Sequence, residues 1–356
     1  VLLHILGTIS PRHGWHLSAL HVHHGISPHA SDWAALCAEL CERERVPLKI
    51  EHVDVKPLRS MGVEAAARML RHAALESQPV DIVALAHHQD DQVETLLLQL
   101  LRGAGVRGCA AMPSVFRAAG GALRVRPLLD VPRSVLLDYA RSHALRWVED
   151  ESNADDAYPR NFLRHRLLPL LAERFPAYRQ TLARSARHFA EASALLDDLA
   201  SRDAAGLAGD IAGVILRVGQ LRALDTAHAR NVLRAYLDRC GAPMPEASCL
   251  DEMLRQLCDA GDDAGVRIAF GGWEVRRYRD QVHVMPTLAD CEAAFCAQWS
   301  GEDRLELPQL GYVMHFDYYP GRGLSLARLR ASATSIRLRN GGEVIQPHAL
   351  APRRKL

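Results

Sequence analysis

The sequence is poor in lysine, and this limits how it can bind anionic partners. Among 43 basic residues only Lys49, Lys56 and Lys355 are lysines. Phosphate contacts would therefore be made by arginine, whose planar guanidinium group binds phosphate through two parallel hydrogen bonds. The formal net charge of +1 excludes a protein that binds nucleic acid through bulk positive charge. A nucleic-acid surface would have to be a local patch.

Paired cysteines, long apolar runs and a leader-like N-terminus are also absent. The eight cysteines form no C-x-x-C pair, which argues against zinc-ribbon and iron–sulfur sites and predicts reduced, mostly buried thiols. No apolar run approaches the roughly 20 residues of a membrane span, so we expect no membrane contact and a cytoplasmic location. The opening residues carry neither a basic n-region nor an initiator methionine. We therefore expect the sequence to begin inside a longer chain.

The first half of the sequence alternates strand-like and helix-like segments. The predicted strands are His16–Ile26, Leu48–Val55 and Asp81–Ala86, and the predicted helices are Asp32–Arg45, Val63–Ser77 and Gln89–Leu101. This rhythm predicts a parallel, doubly wound α/β sheet with right-handed crossovers. The apolar run Asp81–Ala86 is typical of a central strand covered on both faces, and Ser31 is expected to cap the helix that follows it. Ligands of such sheets bind at the carboxyl ends of the strands.

Length and composition predict more than one domain. At 356 residues and 48% hydrophobic, the chain can bury two or three cores. We expect a catalytic domain with a helical extension at residues 1–200, a small α+β domain at 207–286, a connector at 287–333 and the start of a β-containing domain at 334–356. The elements predicted in the α+β domain are a strand Gly213–Val218, helices Asp225–Arg239 and Leu250–Cys258, and a hairpin of Val266–Phe270 and Trp273–Tyr278.

The strongest local signal lies where the strand Asp81–Ala86 ends and a helix begins. His87, His88, Asp90 and Asp91 are concentrated there. Two carboxylates at a helix N-terminus are favoured by the helix dipole and suit Mg²⁺, which prefers oxygen ligands. Two histidines at the end of a buried strand can orient a phosphate or relay protons near neutral pH. The same residues also fit an ordinary strand end with acidic helix caps, and the chemistry alone leaves both interpretations open.

The same junction resembles the second signature of the tRNA(Ile)-lysidine synthases, which belong to the N-type ATP pyrophosphatase (PP-loop) group. The matching residues are His87-His88-x-Asp90-Asp91-Gln92-x-Glu94-Thr95, continuing to Leu101-Arg102-Gly103-x-Gly105. Five further segments resemble the family: His21–Gly25, Glu64–Arg71, Arg126–Leu129, Trp147–Asn153 and Pro159–Pro169. The resemblance is dense to about residue 175, is looser in the middle of the chain, and returns at Ile336–Arg339 with Gly341-Gly342.

The resemblance implies a PP-loop ATPase fold, similar to the adenine nucleotide alpha-hydrolases, and an ATP-dependent ligase. ATP would adenylate the C2 carbonyl oxygen of the wobble cytidine in the CAU-anticodon isoleucine tRNA, with release of pyrophosphate. Free L-lysine would then displace AMP, giving lysidine and changing the codon read from AUG to AUA. Mg²⁺ would neutralise the leaving pyrophosphate. The resemblance also implies that the α+β domain at 207–286 binds the tRNA substrate, and it leaves a homodimer open.

The family's residue roles carry over to matching positions in this sequence. Asp90 and Asp91 would bind Mg²⁺ and position the lysine amine, with His87 and His88 beside the nucleotide phosphates. The resemblance implies that ATP is also bound by His23, His24, Arg102 and Gly103. The residues implied to contact the substrate or the tRNA are Arg68, Arg71, Glu94, Arg160, Asn161, Arg164 and Arg184.

The segment Arg160–Arg187 contains seven arginines and one acid, Glu173, and we expect it to contact tRNA phosphates. The alternative is a solvated charged face, which is also the alternative for Arg68 and Arg71. In Trp147–Asn153 the acids either bind lysine or form a turn in which Asn153 is a cap, and we favour the turn.

Two departures from the family pattern affect the expected activity. The loop Ser-Gly-Gly-x-Asp-Ser, whose backbone N–H groups cradle phosphate, is absent, and the final domain is incomplete. We therefore expect a chain truncated at both ends that binds ATP poorly. A smaller departure is Ser27, where many relatives carry a basic residue. Two rival functions remain: another PP-loop enzyme such as a tRNA thiolase, which the lack of paired cysteines disfavours, and an RNA-binding protein without ATP chemistry.

Overall fold

The computed structural model describes residues 1–117, 121–205, 215–261, 264–287, 295–310, 312–321, 323–338, 344–346 and 352–355. The chain divides into two compact units, Val1–Gly206 and Leu207–Leu356. The finer division of the second unit into a domain, a connector and a further β-containing part stays a prediction. Within the described ranges, no helix is both long enough and apolar enough to cross a membrane.

The first unit alternates helices and short strands over its first 125 residues and is helical after that. Its helices are α1 (Leu2–His13), α2 (Ala30–Arg43), α3 (Val63–Glu76), α4 (Gln89–Leu101), α5 (Val106–Cys109), α6 (Arg133–Ser142), α7 (Pro159–Phe162), α8 (Leu168–Arg174) and α9 (Tyr178–Ala205). Its strands are β1 (Ala19–His23), β2 (Leu48–His52), β3 (Ile82–Ala84), β4 (Val115–Arg117) and β5 (Leu123–Val125). A π-helical turn, Leu163–Leu167, joins α7 to α8.

The strands of this unit pair mainly in parallel, which confirms the predicted α/β class. Strand β1 pairs in parallel with β2, and β3 pairs in parallel with β5, while β4 lies antiparallel to β5. The expectation that β3 is covered on both faces is wrong, because Val83 is buried but Ile82 is 57% exposed. The expected cap of α2 is also wrong: Ser31 lies inside the helix, and His29 is the residue that precedes it.

Helix α4 is fixed by packing against α9, and this packing positions the β3–α4 junction. Val93 of α4 is buried with Leu168 and Tyr178, and Leu96 is buried with Cys109 and Ala186. Burial of each such side chain contributes about 1.5–3 kcal/mol. Because α4 lies on a packed core, the polar residues at its N-terminus have a fixed orientation.

The second unit begins with a small α+β body in which helices cover one face of an antiparallel sheet. Its helices are α10 (Val218–Arg222), α11 (Thr226–Arg239) and α12 (Ala247–Asp259), and its strands are β6 (Leu216–Arg217), β7 (Arg267–Phe270), β8 (Trp273–Tyr278) and β9 (Gln281–Pro286). The sheet order is β6-β9-β8-β7. The predicted hairpin is confirmed: Gly271 and Gly272 join β7 to β8 and both have positive φ, as a two-residue hairpin turn requires.

The first strand of this body is shorter than the sequence predicts. The predicted strand Gly213–Val218 is β6 only at residues 216–217. Residue 218 starts α10, and the first two residues of the predicted strand lie outside the described ones.

The elements that follow the α+β body are β10 (Cys296–Trp299), β11 (Arg304–Leu307), β12 (Tyr312–His315), α13 (Leu326–Arg330), β13 (Thr334–Arg337), β14 (Val344–Ile345) and β15 (Arg354–Lys355). These strands form antiparallel pairs, β10 with β13, β11 with β12 and β14 with β15.

The predicted cysteine burial is only partly correct. Among the seven described cysteines, all free thiols, Cys41 and Cys109 are buried and Cys296 is exposed, while the other four are half-buried. The returning family segment Ile336–Arg339 contributes to β13 up to residue 337, and positions 339, 341 and 342 of that motif lie outside the described residues.

Candidate active site

The junction between β3 and α4 brings His87, His88, Asp90 and Asp91 together, as the sequence predicts. His88 is the residue before the first turn of α4, and its backbone N–H donates to the Asp91 carboxylate at 3.0 Å. The N–H of Gln89 donates to the carbonyl oxygen of Val131 at 3.0 Å. These bonds fix the start of the helix at the carboxyl end of β3, where a ligand of a parallel sheet is expected.

Asp90 is held as an anion by two donors from distant parts of the chain. The Arg179 Nε donates to one carboxylate oxygen at 2.7 Å, and the Arg133 backbone N–H donates to the other at 2.9 Å. Burial would raise the pKa of Asp90, but these two hydrogen bonds and the Arg179 charge outweigh it and hold the pKa below its usual value. Asp90 therefore has little affinity for a proton at neutral pH.

Asp91 has the more accessible carboxylate oxygen of the pair. Its Oδ2 accepts the His88 N–H, while its Oδ1 has Arg164 Nη2 at 3.8 Å. No group of three His, Cys, Asp or Glu among the described residues is placed to hold a metal ion. The two carboxylates fit Mg²⁺ as that ion binds nucleotides, through one or two carboxylates with water and phosphate oxygens completing its shell. Asp91 Oδ1 suits this role better than Asp90, whose two oxygens are both hydrogen-bonded.

His87 is neutral near physiological pH, which favours the phosphate-orienting role over the proton relay, the two roles that the sequence leaves open. Burial, reinforced by the nearby Arg126 guanidinium, lowers the pKa of His87 to about 4. Arg126 Nε donates to His87 Nδ1 at 3.2 Å, so the proton of the neutral ring is on Nε2. His87 is a neutral N–H donor. His88 Nδ1, in contrast, is buried without a hydrogen bond and lies 3.5 Å from the Asp91 carboxylate.

Three residues expected to contact substrate or tRNA instead form a buried ion cluster. Glu94 is fully buried, and the Arg164 guanidinium binds its carboxylate through two hydrogen bonds of 2.8 and 2.9 Å. Arg160 lies 3.3 Å from the same carboxylate and also donates to Thr95 Oγ1. Burial raises the pKa of Glu94 despite the opposing effect of Arg164. This cluster ties α4 to the segment 160–167, and the Glu94 carboxylate has its partners among the described residues, while Arg160 Nε is buried without a hydrogen bond there.

Asn161, also expected to contact tRNA, has a structural position. Its side chain is buried, and its amide donates to the carbonyl oxygens of Ser152 and Asp155 at 2.8 and 2.9 Å. The turn favoured for the acids of 147–153 is present as a short 3-10 helix, Glu151–Ala154. Its cap is Asp150, not Asn153, since Asp150 accepts the backbone N–H of Ser152 at 2.9 Å.

The remaining arginines of the segment 160–187 divide into two groups. Arg166 pairs with Asp156 and Arg179 pairs with Asp90. Arg174, at the end of α8, and Arg184 and Arg187 of α9 are exposed. The sequence could not predict the pairing, because three of the four partner acids (Asp90, Asp91 and Glu94) are in α4, about 70–90 residues away in the chain.

The carboxyl end of β1 brings together two further predicted groups. His24 Nδ1 is buried without a hydrogen-bond partner. Burial, followed by the charge of Arg71, lowers the pKa of His24. Burial and the charge of Arg68 likewise lower the pKa of Arg71. The end of β1 and the basic helix α3 therefore face each other, and the ring of His23 lies 4.6 Å from that of His52.

The structure does not bring Arg102 and Gly103 together with these groups, and their role in nucleotide binding stays a prediction. They follow the last residue of α4, whereas His87 and His88 precede its first residue. A 13-residue helix is about 20 Å long. Arg102 and Gly103 donate backbone N–H groups to carbonyl oxygens of the last turn, and Gly103 has φ +72°, as a residue that ends a helix commonly does.

A surface cavity of about 180 Å³ opens beside the junction. Its lining residues are Val1, His88, Arg133, Leu136, Leu137, Ala140, Leu145, Arg146 and Trp147. The polar part of the wall is shared with the site, because the Arg133 N–H binds Asp90. The remainder is mostly apolar, with Trp147 half-exposed at its edge. The cavity is smaller than the roughly 300–1,000 Å³ that is typical of small-molecule sites.

Comparison with known proteins connects both units to one class of enzyme. The PP-loop domain family matches residues 1–171, and the TilS substrate binding domain matches residues 216–283. The tRNA(Ile)-lysidine synthase of Nitrosomonas europaea is 43% identical, covering 100% of this chain and 78% of that protein. That of Methylococcus capsulatus is 40% identical, covering 98% and 79%, and that of Coxiella burnetii is 36% identical, covering 98% and 77%. A solved U34-tRNA thiolase from Methanococcus maripaludis is 16% identical with a TM-score of 0.44, covering 53% of this chain and 68% of that one.

Proposed function

Because the chain belongs to the tRNA(Ile)-lysidine synthase family, we propose that it joins free L-lysine to C2 of the wobble cytidine in isoleucine tRNA with a CAU anticodon, using ATP. The observation that carries the proposal is the junction of β3 and α4, where a neutral N–H donor, His87, lies beside two carboxylates. The reaction would take place in the cytoplasm, where its tRNA substrate is found.

The first step transfers AMP from ATP to the C2 carbonyl oxygen of the cytidine, with pyrophosphate as the leaving group. We propose that His87 Nε2–H donates to a phosphate oxygen, since Arg126 occupies its other nitrogen. Mg²⁺, when bound, would neutralise charge on the pyrophosphate, and Asp91 Oδ1 is the oxygen of this chain best placed to hold it. His24, whose Nδ1 has no partner inside the protein, is proposed to contact the nucleotide.

In the second step the lysine amine attacks C2 and AMP leaves. A lysine amine arrives mainly as an ammonium ion and must lose a proton before it attacks. Asp90, whose pKa is lowered, is suited to orient the ammonium ion by charge and is a poor proton acceptor. We propose Asp91 as the acceptor or as the group that holds a water for this purpose. Arg68 and Arg71, which face the end of β1, are proposed to bind the cytidine side.

The reaction can be tested with radiolabelled lysine and transcribed tRNA. The expected result is ATP-dependent incorporation of lysine into CAU-anticodon isoleucine tRNA, with one AMP formed per lysine. Elongator methionine tRNA, which has the same anticodon, serves as the control and should accept little lysine. Binding of the isoleucine tRNA without any incorporation or AMP release would instead support the rival RNA-binding function. Sulfur transfer in place of lysine transfer would support the thiolase.

A further inference from the structure

The four-stranded sheet of the second unit has one face covered by helices, and the side chains of its other face are exposed or partly exposed, apart from Glu274. On the covered side, Tyr236 of α11 donates to the Val282 carbonyl oxygen, and Arg277 donates to the Leu257 carbonyl oxygen of α12. Val275 and Val282 are fully buried there. The opposite side, here named the open face, carries the alternate residues of each strand. The described residues of the open face are Arg217, Arg267, Ala269, Glu274, Arg276, Tyr278, Gln281, His283 and Met285.

The register of the strands places the basic residues of the open face in a row. Arg267 of β7 is directly opposite Arg276 of β8, which is directly opposite His283 of β9. Neighbouring strands are about 4.8 Å apart, so the row crosses three strands over about 10 Å. Arg267 is 51% exposed and Arg276 43% exposed, counting side chains. A second row ends in Tyr278, which is 63% exposed.

A buried carboxylate holds the two arginines in place. Glu274 is fully buried and lies 2.6 Å from Arg267 Nε and 2.6 Å from an Arg276 terminal nitrogen. One carboxylate between two guanidinium groups leaves one positive charge uncompensated. Each guanidinium has five N–H donors, so donors remain on the solvent side of both. Arg276 Nε is buried and has no hydrogen-bond partner among the described residues. Glu274 therefore limits the motion of these two arginine side chains at the surface. They would lose less conformational entropy when they bind an anion.

An aromatic and a further cation lie at one end of the face. The guanidinium of Arg279 lies over the Tyr278 ring at 5.4 Å, and Arg217 is exposed on the neighbouring edge strand. Guanidinium groups that bind phosphate, beside an exposed aromatic ring on which a base can stack, are the combination that binds RNA. An acidic protein would use the arginines but has no need for the stacking ring.

We propose that the open face binds the backbone of the tRNA substrate, with Arg267 and Arg276 on phosphates and Tyr278 against a base or ribose. The proposal rests on the proposed function, which makes tRNA the substrate. It assigns the contact to one side of one sheet, so the helical side of the same body should not contribute.

The test removes the charge without leaving a buried carboxylate unpaired. The triple variant Arg267→Gln, Glu274→Gln and Arg276→Gln eliminates both cations together with the acid between them. Its affinity for isoleucine tRNA is measured by fluorescence anisotropy across a salt series, with circular dichroism to confirm folding. Each lost phosphate contact lowers the salt slope by about 0.7–0.9. The expected result is a loss of about 10- to 100-fold at low salt and a slope smaller by about 1–2.

A matched control is Arg255→Gln, because Arg255 is an exposed arginine of α12 paired with Glu252. It should bind tRNA as the unmodified protein does. A second variant, Tyr278→Ala, leaves the ion cluster intact and should weaken binding by about 5- to 100-fold. Unchanged affinity and slope in the triple variant, or equal losses in the triple variant and Arg255→Gln, would overturn the proposal.

Turnover separates this inference from the proposed function. In lysine incorporation the triple variant should raise KM for tRNA and leave kcat near that of the unmodified protein. If the unmodified protein forms lysidine and the triple variant has an unchanged KM, the open face is not the contact and the enzyme assignment stands. If the unmodified protein binds tRNA through the open face but forms no lysidine, the proposed function fails and the interaction surface stands.

Discussion

At the scale of single residues, the pKa values of two acids in one helix shift in opposite directions. Asp90 and Glu94 are four residues apart in α4, yet the pKa of Asp90 is lowered and that of Glu94 is raised. Asp90 is at the helix N-terminus, where it accepts a backbone N–H and a guanidinium N–H. Glu94 lies one turn deeper, where burial outweighs its arginine partners. Position along the helix therefore separates a carboxylate that stays ionised at the candidate site from one that is buried in an ion cluster.

The first prediction concerns the carboxylates at the junction. Asp90→Asn and Asp91→Asn should each lower kcat for lysidine formation by at least about 10²–10³-fold, since each removes a charge aimed at reacting groups. The melting temperature should fall only modestly, because asparagine keeps an oxygen that can accept the Arg133 or His88 N–H, while Asp90→Asn leaves Arg179 without its carboxylate. Asp138→Asn, which alters an exposed acid of α6 paired with Arg141, is the control and should keep full activity. Near-normal turnover in both variants would move the site elsewhere.

The second prediction concerns pH and His87. Its pKa is lowered to about 4 from 6.5, so between pH 6.5 and 4 the unfolded chain takes up a proton that the folded chain does not. The free energy of unfolding should therefore fall as the pH drops through this window, and be unaffected by His87 above it. In His87→Asn the fall from pH 7.5 to 5, measured by urea unfolding, should be smaller. Equal slopes in the two proteins would contradict the buried neutral state.

At the scale of elements, α4 organises the first unit. Its N-terminus carries the candidate site, its middle binds Arg160 and Arg164 through Glu94, and its apolar side packs on α9. The bounds of this helix, Gln89–Leu101, were predictable because five apolar residues repeat at helical spacing. Its polar partners were not, because the pairs join positions about 70–90 residues apart. A run of arginines in the sequence does not show which acids the fold will place beside them.

The third prediction concerns the ion cluster on α4. Glu94→Gln should lower the free energy of unfolding by about 3 kcal/mol, the lower end of the range for breaking a buried pair, since both arginines keep some solvent contact. Chemical denaturation measures the loss. In a double-mutant cycle with Arg164→Gln, the combined loss should be clearly smaller than the sum. Additive losses would show that the two side chains do not depend on each other.

The fourth prediction distinguishes the arginines of α9 from those of the ion cluster. Arg184→Gln with Arg187→Gln should weaken binding of isoleucine and methionine tRNAs about equally and reduce the salt slope by about 1–2, because phosphate contacts do not read bases. Arg164→Gln should instead lower stability and leave the slope unchanged. Filter binding across a salt series measures the slopes. An unchanged slope in the α9 double variant would mean that its arginines are a solvated face.

At the scale of the whole molecule, a near-neutral chain concentrates its positive charge in two places. The formal net charge is +1, yet α9 of the first unit and the open face of the second each present exposed arginines. The sequence predicted the first patch and the fold classes of both units, since periodicity and turn residues are local signals. It could not predict the open face as a whole, because His283 joins Arg267 and Arg276 only through the pairing of β8 with β9.

The fifth prediction follows from the presence of two patches. If both contact the same tRNA independently, combining the α9 double variant with the open-face triple variant should multiply their losses of affinity. The salt slope should fall by the sum of the two individual decreases. Anisotropy titrations at matched ionic strength test this. If the combined variant binds tRNA as tightly as the weaker-binding of the two separate variants, the two patches are alternatives for one segment of RNA.

The hydrogen bond between Asp91 and the His88 N–H connects ligand binding at the site with order in the first turn of α4. The carboxylate that starts helix α4 is also the one with an oxygen left for a ligand. Order in the first helical turn and loading of the site are therefore linked, and linkage acts equally in both directions. A bound ligand that steadies Asp91 would slow amide hydrogen exchange at residues 88–92, and fraying of that turn would weaken the ligand by the same factor. The rate of amide hydrogen exchange in the first turn of α4 would therefore indicate whether a ligand occupies the site.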